Sequence, residues 1–336
     1  MTLDRGTLPD RDWLIAECRA FERSMALRSA IELDLFTKIG SGRSTAQSLA
    51  AACAASKRGV QLLCDNLVLQ GHLWKEGSRY HLTLNSRLYL TRSSPAYMGS
   101  AVEFFASDGT IAAFSRLTEA VKRGRCASRD ALSADEAYWV KFASAMAPLA
   151  QPVAEFAAEA LAVDSAGPIQ VLDIAAGHGI YGCEIALRNP DAHIFALDSS
   201  AVLQVAAHNS RKRGLADRYH LLPGDALKVK FGGPYDIILA ANFAHHLDAS
   251  GNVRLFKKCR RALKPRGRFV VIDCVPDPEG GAPGGESFAL QLLAVSKYGT
   301  IYTFREYSRM LRAAGFERLR RLKSDVYGNW IITASV

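Results

Sequence analysis

The amino-acid sequence predicts an α/β protein in which a doubly wound, mostly parallel sheet follows a smaller, mainly helical region. From about residue 166 onward, short apolar segments alternate with helical patterns, as in a parallel sheet that helices cover on both faces. Before that point helical spacing dominates, with one hairpin pattern around Gly77. We therefore predict a first domain at 1–96, a helical linker at 97–165 and a second domain at 166–336.

The first domain is predicted to be a winged-helix arrangement. Helical spacing extends over residues 11–40, and Ser44 or Thr45 can cap the next short helix. A further helix over about 56–70 precedes residues that alternate apolar and polar around Gly77, as a hairpin does. Winged helices often bind DNA, but this helix has few basic residues after its first turn. We expect a structural or dimerisation module, with DNA binding as the alternative.

Composition and charge exclude several classes of protein. The net charge is +9, but the basic residues are spread along the chain, and the densest clusters, 211–213 and 318–323, are typical of solvated helix or strand faces. The apolar runs are far shorter than the roughly 20 residues of a membrane-spanning helix. The N-terminus lacks the apolar core of a signal peptide. We expect no nucleic-acid partner, no membrane partner and a cytoplasmic location. The seven cysteines form no CxxC pair, which favours free thiols over a zinc site or disulfides.

The linker is rich in alanine and carries interleaved aromatic residues. Such a stripe is typical of a helical core, and it can also form the wall of an apolar substrate pocket between domains. A second candidate for contact with a substrate is the Gly- and Pro-rich segment at 276–285, which follows a predicted strand. We interpret this segment as a lid or substrate loop.

Three acidic residues at predicted strand ends indicate a cofactor with an ammonium group, a ribose and an adenine. Asp173 in VLDIAAGHG precedes Gly177 and Gly179, which allow the backbone to approach a ligand closely. A GxG pair also suits a dinucleotide, but this carboxylate would lie close to pyrophosphate, whereas it could accept a hydrogen bond from an ammonium group. Asp198 ends the next strand, where an acid can bind ribose hydroxyls, and Asp225 follows the next, where it can accept from an adenine amino group. These three groups together describe S-adenosylmethionine.

With these residues the chain resembles the class I S-adenosylmethionine-dependent methyltransferases. More narrowly, it is similar to the two-domain small-molecule O-methyltransferases, which include plant caffeate and flavonoid enzymes, hydroxyindole O-methyltransferase and bacterial polyketide tailoring enzymes. The segment DIAAGHG resembles the DxGGGxG loop of this family, with Ala175 and Ala176 at two of the small positions. The resemblance covers nearly the whole chain. It implies a Rossmann-like C-terminal domain, a dimerising N-terminal domain and a homodimer.

The resemblance also implies a catalytic histidine. The segment FAHHLD resembles the LHDWxD pattern after the fourth strand of the family and places His245 on its base. Asp273 in VVIDC falls where the family has an acid that orients this histidine. His246 and Leu247 replace the usual Asp and Trp, and Ile301 stands where a second acid is usual. The histidine environment is therefore predicted to be less acidic than in the plant enzymes.

The chemistry of hydroxyl methylation needs such a base. A phenol, with a pKa of about 10, is a poor nucleophile while it is protonated. A histidine within hydrogen-bond reach can take its proton, and a carboxylate can fix the tautomer of that histidine. Two alternatives stay open for His245: a donor that only positions the substrate, or a metal site with His246 and Asp248. Adjacent histidines point in different directions, which disfavours the metal site, and we expect none.

The expected site residues fall into three groups. The catalytic residues are His245 and Asp273. The cofactor-binding residues are Asp173, Gly177, Gly179, Asp198, Asp225, Ala226 and Asn242. The acceptor-binding residues are Phe142, Met146, His246, Phe288 and Leu292.

The sequence therefore predicts an enzyme that transfers a methyl group from S-adenosylmethionine to a hydroxyl of an aromatic or polyketide-like small molecule, with S-adenosylhomocysteine as product. One alternative is C- or N-methylation in the same fold. Another is an enzyme that uses S-adenosylmethionine without methyl transfer, and a third is a non-enzymatic regulator that binds DNA. The identity of the acceptor does not follow from the sequence.

Overall fold

The computed structural model describes residues 11–127, 136–164, 167–276, 285–324 and 328–335. The chain divides into two compact units, residues 1–108 and 109–336. The predicted three-part division, with a separate linker at 97–165, stays a prediction. The predicted lid at 276–285 lies almost entirely outside the described residues.

The N-terminal unit contains helices and one two-stranded hairpin in the predicted winged-helix order. Thr45 caps α4 by accepting a hydrogen bond from the Ser48 amide, as its position in the sequence predicts. Large apolar side chains such as Ile31, Phe36 and Leu67 fill a separate core. The elements are α1 (Arg11–Cys18), α2 (Ala20–Glu32), α3 (Leu35–Gly40), α4 (Ala46–Cys53), α5 (Lys57–Leu69), β1 (Leu73–Glu76), β2 (Arg79–Leu82), α6 (Leu84–Tyr89), α7 (Gly99–Phe105) and, at the boundary, α8 (Asp108–Ser115).

The C-terminal unit is built on a seven-stranded sheet. Its helices are α9 (Leu117–Arg123), α10 (Glu136–Ala160), α11 (Ile180–Arg188), α12 (Ser200–Lys212), α13 (Ala249–Ala262), α14 (Gly285–Val295) and α15 (Phe304–Ala313). Its strands are β3 (Ile169–Ile174), β4 (Ala192–Asp198), β5 (Tyr219–Pro223), β6 (Tyr235–Ala241), β7 (Leu263–Cys274), β8 (Arg318–Lys323) and β9 (Asn329–Ser335).

The strand order is β5-β4-β3-β6-β7-β9-β8, and the first five strands run parallel. The predicted doubly wound sheet is therefore confirmed. Apolar residues of β3 and β6 are buried on both faces, because one core lies beneath α10, α11 and α12 and a second beneath α13 and α15. The chain order reverses between β3 and β6. In such sheets, ligands bind outside the carboxyl ends of the strands at this reversal.

Two strands of the sheet were not expected in this form. β9 pairs antiparallel with β7, and β8, the basic cluster 318–323, pairs antiparallel with β9 as an edge strand. Its residues are mostly exposed, which agrees with a solvated strand face, and positive charges on an edge strand oppose pairing with other chains. In the aromatic stripe of the linker, Phe105 and Phe114 are exposed rather than part of a core. No helix in the described ranges is long and apolar enough to span a bilayer.

Candidate active site

The loop after β3 is shaped for close approach of a ligand to the backbone. Ala175, Gly177 and Gly179 have φ values of 52°, 55° and 73°, in the left-handed region that favours glycine. A side chain at Gly179 would collide with the hydroxyl of Tyr219 and with Ala206, so this turn also requires glycine for packing. The predicted cofactor loop thus lies at the carboxyl end of β3 and leads directly into α11.

Asp173 is buried beside this loop, and one of its two carboxylate oxygens accepts no hydrogen bond from the described residues. Its Oδ2 atom has no hydrogen-bond partner among the described residues. Burial raises the pKa of Asp173 to about 8; the Gly182 amide lowers it in part, and the negative charge of Asp198 adds to the rise. A cationic donor at Oδ2 would supply the missing hydrogen bond and stabilise the negatively charged form of Asp173.

Asp198 lies at the end of β4 and faces the same loop. Its Oδ2 accepts a hydrogen bond from the Gly177 amide at 2.9 Å, and its Oδ1 accepts one from the Ser199 amide at 2.7 Å. Burial raises its pKa, whereas these two amides lower it. The structure therefore brings Asp173, Gly177 and Asp198 together at neighbouring strand ends.

Asp225 and Ala226 lie in the loop after β5. Asp225 accepts a hydrogen bond from the Leu227 amide at 2.8 Å and pairs with Lys228 at 3.1 Å, and its side chain is nearly half exposed. The Ala226 carbonyl accepts a hydrogen bond from Lys258 of α13 at 2.7 Å. This loop is therefore more open than the Asp173 and Asp198 strand ends.

Asn242 follows β6 in a left-handed conformation, with φ at 50°. Its amide donates to the Ile272 carbonyl of β7 at 2.7 Å, and its side-chain Nδ2 donates to the hydroxyl of Tyr181 at 3.0 Å. Tyr181 belongs to α11, the helix that follows the cofactor loop. Asn242 thus connects the end of β6 to that helix.

His245 and Asp273 form a buried dyad. His245 lies in a short 3-10 turn after β6, and Asp273 is the penultimate residue of β7. The Nδ1 atom of His245 is 2.7 Å from Asp273 Oδ1, and the His245 amide donates to Oδ2 at 3.2 Å. Oδ1 also accepts from the Cys274 amide at 2.8 Å, and Oδ2 accepts from the Tyr307 hydroxyl at 2.7 Å. The structure therefore brings together the two predicted catalytic residues.

The turn that carries His245 is held by hydrogen bonds to its backbone carbonyls. Asn252 donates to the Ala244 carbonyl at 2.9 Å, and the Thr300 amide donates to the His245 carbonyl at 2.9 Å. The Tyr302 hydroxyl donates to the Leu247 carbonyl at 2.7 Å. Since these donors come from α13 and from the segment before α15, the backbone of the turn is held from two sides.

Aromatic rings surround the two histidines. The ring of Phe288 meets His245 edge-on at 5.0 Å between centroids, and Trp139 meets His246 edge-on at 5.8 Å. Phe142 packs against Trp139 in turn, at 5.4 Å. Of the other two predicted acceptor residues, Met146 is half-buried on α10 and Leu292 is buried on α14. The roles of the predicted acceptor residues stay predictions.

His246 is buried beside His245, at 4.3 Å between ring centroids. Burial, together with the neighbouring His245, holds its pKa well below the ordinary value, so its imidazole is neutral at physiological pH. Asp248 caps α13 by accepting a hydrogen bond from the Gly251 amide at 2.6 Å. Among the described residues, no group of three or more His, Cys, Asp or Glu side chains could hold a metal ion.

Sequence reasoning missed two residues of this site. The sequence carries a local signal for the helix that bears Tyr307: Thr303 and Glu306 form a capping box, and Tyr307 follows in the first turns of α15. Trp139 is one of the interleaved aromatic residues of the linker, but the sequence does not show its contact with His246, because this contact joins two elements far apart in the chain.

Comparison with known proteins shows the family to which the chain belongs. Residues 171–267 match a model of a methyltransferase domain, and residues 17–92 match a model of an O-methyltransferase dimerisation domain. A Nostoc punctiforme protein of known structure, assigned to the O-methyltransferases, is 37% identical, with 98% of this chain and 99% of that chain covered and a TM-score of 0.90. The chain belongs to the O-methyltransferase family. The protein is therefore an enzyme, an S-adenosylmethionine-dependent methyltransferase.

Two other relatives show how varied the acceptors of similar chains are. The 3-hydroxy-5-methyl-1-naphthoate 3-O-methyltransferase of Streptomyces sahachiroi is 24% identical, with 90% of this chain and 88% of the relative covered. An N,N-dimethyltransferase of Streptomyces rimosus is 25% identical, with 94% of this chain and 93% of the relative covered. Similarity at this level therefore does not by itself fix the acceptor atom.

Proposed function

We propose that this methyltransferase methylates a hydroxyl of an aromatic or polyketide-like small molecule, with His245 as general base and Asp273 as its orienting acid. The observation that carries the proposal is the buried contact of 2.7 Å between His245 Nδ1 and Asp273 Oδ1. Because a carboxylate only accepts hydrogen bonds, Nδ1 carries the proton in this contact. The Nε2 atom of the neutral imidazole then keeps its lone pair, and it can accept a proton from a hydroxyl.

The residues at the carboxyl ends of β3 and β4 fit S-adenosylmethionine. The orphaned Oδ2 of Asp173 suits an ammonium group, and the lone pairs left on Asp198 suit ribose hydroxyls. In this proposal, Gly177 and Gly179 let the backbone approach the ligand. Asp225, Ala226 and Asn242 line the neighbouring strand ends. When bound, S-adenosylmethionine supplies a methyl group activated by a sulfonium and leaves as S-adenosylhomocysteine.

The chain's own residues then orient the acceptor and remove its proton. His245 Nε2 would take the hydroxyl proton while the acceptor oxygen receives the methyl group that S-adenosylmethionine would supply. Asp273 stabilises the imidazolium that results, and the proton later passes to solvent. Phe142, Met146, Phe288 and Leu292 provide an apolar lining, which favours a flat, hydrophobic acceptor. His246, being neutral, offers one donor and one acceptor for a polar substituent.

A relative that methylates nitrogen keeps N-methylation open as a second candidate. An amine acceptor also has to lose a proton, so the same base could serve it. The two candidates differ in the acceptor atom, whereas the proposed base and its orienting acid are the same in both.

We also propose that the enzyme is a homodimer. The match of residues 17–92 to an O-methyltransferase dimerisation domain supports this assembly. Apolar side chains on α1 and α2, Trp13, Ile15 and Phe21, are more than half exposed in the single chain. Exposed apolar surface of this kind favours association. Light scattering on the purified protein tests the proposal, and a monomer at micromolar concentration would contradict it.

The test of the activity is a native mass spectrum after incubation with S-adenosylmethionine and a panel of phenols, indoles, tetrapyrroles and aromatic amines. We expect S-adenosylhomocysteine together with a phenolic product that is heavier by one methylene. The control omits the acceptor and should leave the cofactor intact. A product formed only from amines, or methylated at carbon, would overturn the hydroxyl assignment.

A further inference from the structure

A tyrosine hydroxyl lies behind the candidate base. Tyr307 is fully buried in the first turns of α15. Its hydroxyl lies 2.7 Å from Asp273 Oδ2, on the carboxylate whose Oδ1 meets His245. Since a carboxylate only accepts hydrogen bonds, the hydroxyl is the donor. Tyr307, Asp273 and His245 therefore form one continuous hydrogen-bonded chain from α15 to the imidazole.

We propose that Tyr307 is a positioning residue for methyl transfer, which acts through Asp273 to set the orientation and the proton affinity of His245. This inference rests on the proposed role of His245 as base. Without the hydroxyl, Oδ2 would keep only the longer contact of 3.2 Å with the His245 amide. With the hydroxyl, Oδ2 accepts a second and shorter hydrogen bond, so rotation of the carboxylate away from the imidazole costs one hydrogen bond more.

The effect on proton affinity has a definite sign. A hydrogen bond donated to Asp273 partly neutralises the carboxylate. This stabilisation is greatest when His245 is neutral, because an imidazolium would already neutralise the same charge. Tyr307 therefore favours the neutral imidazole, which is the form that can act as a base. Loss of the hydroxyl should let His245 hold its proton to higher pH.

Several of the groups around His245 and Asp273 do not change charge near pH 7, so they do not obscure the effect of Tyr307 on His245. Burial raises the pKa of Tyr307 well above its ordinary value, so its hydroxyl stays a donor at working pH. Burial raises the pKa of Tyr302 to about 12 and that of Cys274 to about 11, and it lowers the pKa of His246. These three groups therefore stay neutral near pH 7. Among the described residues, Tyr181 on α11 interacts electrostatically with Asp273, and Glu286 on α14 does so with Cys274. Asp248 and Glu306 do so with Tyr302.

The experiment compares Tyr307→Phe with a matched control. Tyr235→Phe removes another buried hydroxyl, which donates to the Phe231 carbonyl at 2.7 Å at the opposite end of β6. Two quantities are measured for each protein: the profile of kcat against pH, and the NMR titration of the His245 imidazole in the protein without acceptor. His245→Ala identifies the resonance of His245.

For Tyr307→Phe we expect both midpoints to move to higher pH by about half a unit to one unit, a change of about 3- to 10-fold in proton affinity. At a fixed pH near neutrality kcat should fall, with little change in KM, because the hydroxyl does not touch the acceptor. Tyr235→Phe should lose stability, because a buried carbonyl loses its donor, but it should keep both midpoints.

Wild-type midpoints in Tyr307→Phe, in both measurements, would overturn the inference. If the wild-type protein turned over no acceptor, the proposed function would fail, while the NMR titration would still test the link between Tyr307 and His245. If Tyr307→Phe did not fold, selective labelling of tyrosine in the wild-type protein would replace it. The Tyr307 ring resonance should then shift as His245 titrates, and a resonance independent of that titration would contradict the proposal.

Discussion

Asp173 and Asp273 occupy equivalent places in the sheet but differ in what surrounds them. Each is the penultimate residue of its strand, β3 or β7, and each is buried. Asp273 accepts hydrogen bonds from the His245 ring and amide, from the Cys274 amide and from Tyr307. Asp173 has an oxygen without a partner among the described residues.

The comparison separates a carboxylate that belongs to the resting protein from one that requires a ligand. The donors around Asp273 compensate its charge within the fold, so it can orient His245 before any substrate arrives. The pKa of Asp173 is raised to about 8 by burial, because the protein supplies too few donors to offset desolvation. In our proposal the ammonium group of the cofactor donates the hydrogen bond that Asp173 lacks.

The largest expected loss of stability concerns Asp273. In Asp273→Asn the side-chain oxygen can accept from only one of Tyr307 and His245 Nδ1, and the NH2 group then faces the other donor. We expect the free energy of unfolding to fall by about 3 kcal/mol, the range for breaking a buried charged network. Urea unfolding measures it. Asp173→Asn is the matched control, and an equal loss in both variants would abolish the distinction.

The next effect is kinetic. His245→Ala should lower kcat by about 100-fold or more if His245 is the general base. The control is His220→Ala, since His220 stacks on His193 at the β4–β5 edge and has no proposed role in the reaction. A His245→Ala enzyme with a rate near that of the wild type would leave only substrate positioning for this residue.

The pH dependence of stability distinguishes the two carboxylates further. In the protein without cofactor, folded Asp173 keeps its proton up to about pH 8. An aspartate in the unfolded chain loses its proton near the ordinary aspartate pKa of about 3.9. The unfolded state therefore binds fewer protons in this window, and Asp173 makes the folded state less stable as pH rises. Asp173→Asn should gain stability relative to the wild type by up to about 1.4 kcal/mol per pH unit between these values.

The measurement is urea unfolding of both proteins at several pH values without cofactor. The quantity to compare is the difference between the two proteins in the free energy of unfolding, because other groups also titrate. Buried His178, with a pKa lowered to about 4, makes the folded state of both proteins more stable as pH rises from 4 towards 6.5. A constant difference across the series would show that the Asp173 environment is not as unfavourable to charge as the structure indicates.

The smallest expected effect concerns Asp198. Asp198→Ala should weaken S-adenosylmethionine binding by about 10-fold, equivalent to about 1.4 kcal/mol, through loss of hydrogen bonds to the ribose and to the Gly177 amide. Calorimetry measures the affinity. Asp217→Ala, at an exposed residue before β5, is the control. Unchanged affinity in Asp198→Ala would move the ribose site elsewhere.

Much of this arrangement could be predicted from the sequence, because it depends on local patterns. Strand–helix alternation predicted the parallel sheet, and Gly177 and Gly179 after an apolar strand predicted a tight turn at a strand end. The resemblance of FAHHLD and VVIDC to family segments placed His245 and Asp273 in one site. Their contact of 2.7 Å agrees with that placement, because β6 and β7 are neighbours and parallel.

Other features required contacts between elements that are far apart in sequence. No local pattern shows that the Tyr307 hydroxyl reaches Asp273, 34 residues earlier in the chain, or that Trp139 meets His246. The antiparallel placement of β8 and β9 at the sheet edge also depends on pairing that charge and hydropathy do not specify. Sequence periodicity gives the face that a residue occupies, but not the atom it meets.

The sequence by itself determined which residues end the strands, and therefore where acidic and histidine side chains collect. Only the tertiary structure decided how many donors each buried carboxylate receives. That number follows from packing among β6, β7 and α15 at Asp273, and from the loop after β3 at Asp173. Since hydrogen bonding and burial together set the charge of a carboxylate, residues of the same type acquire different chemistry in the same sheet.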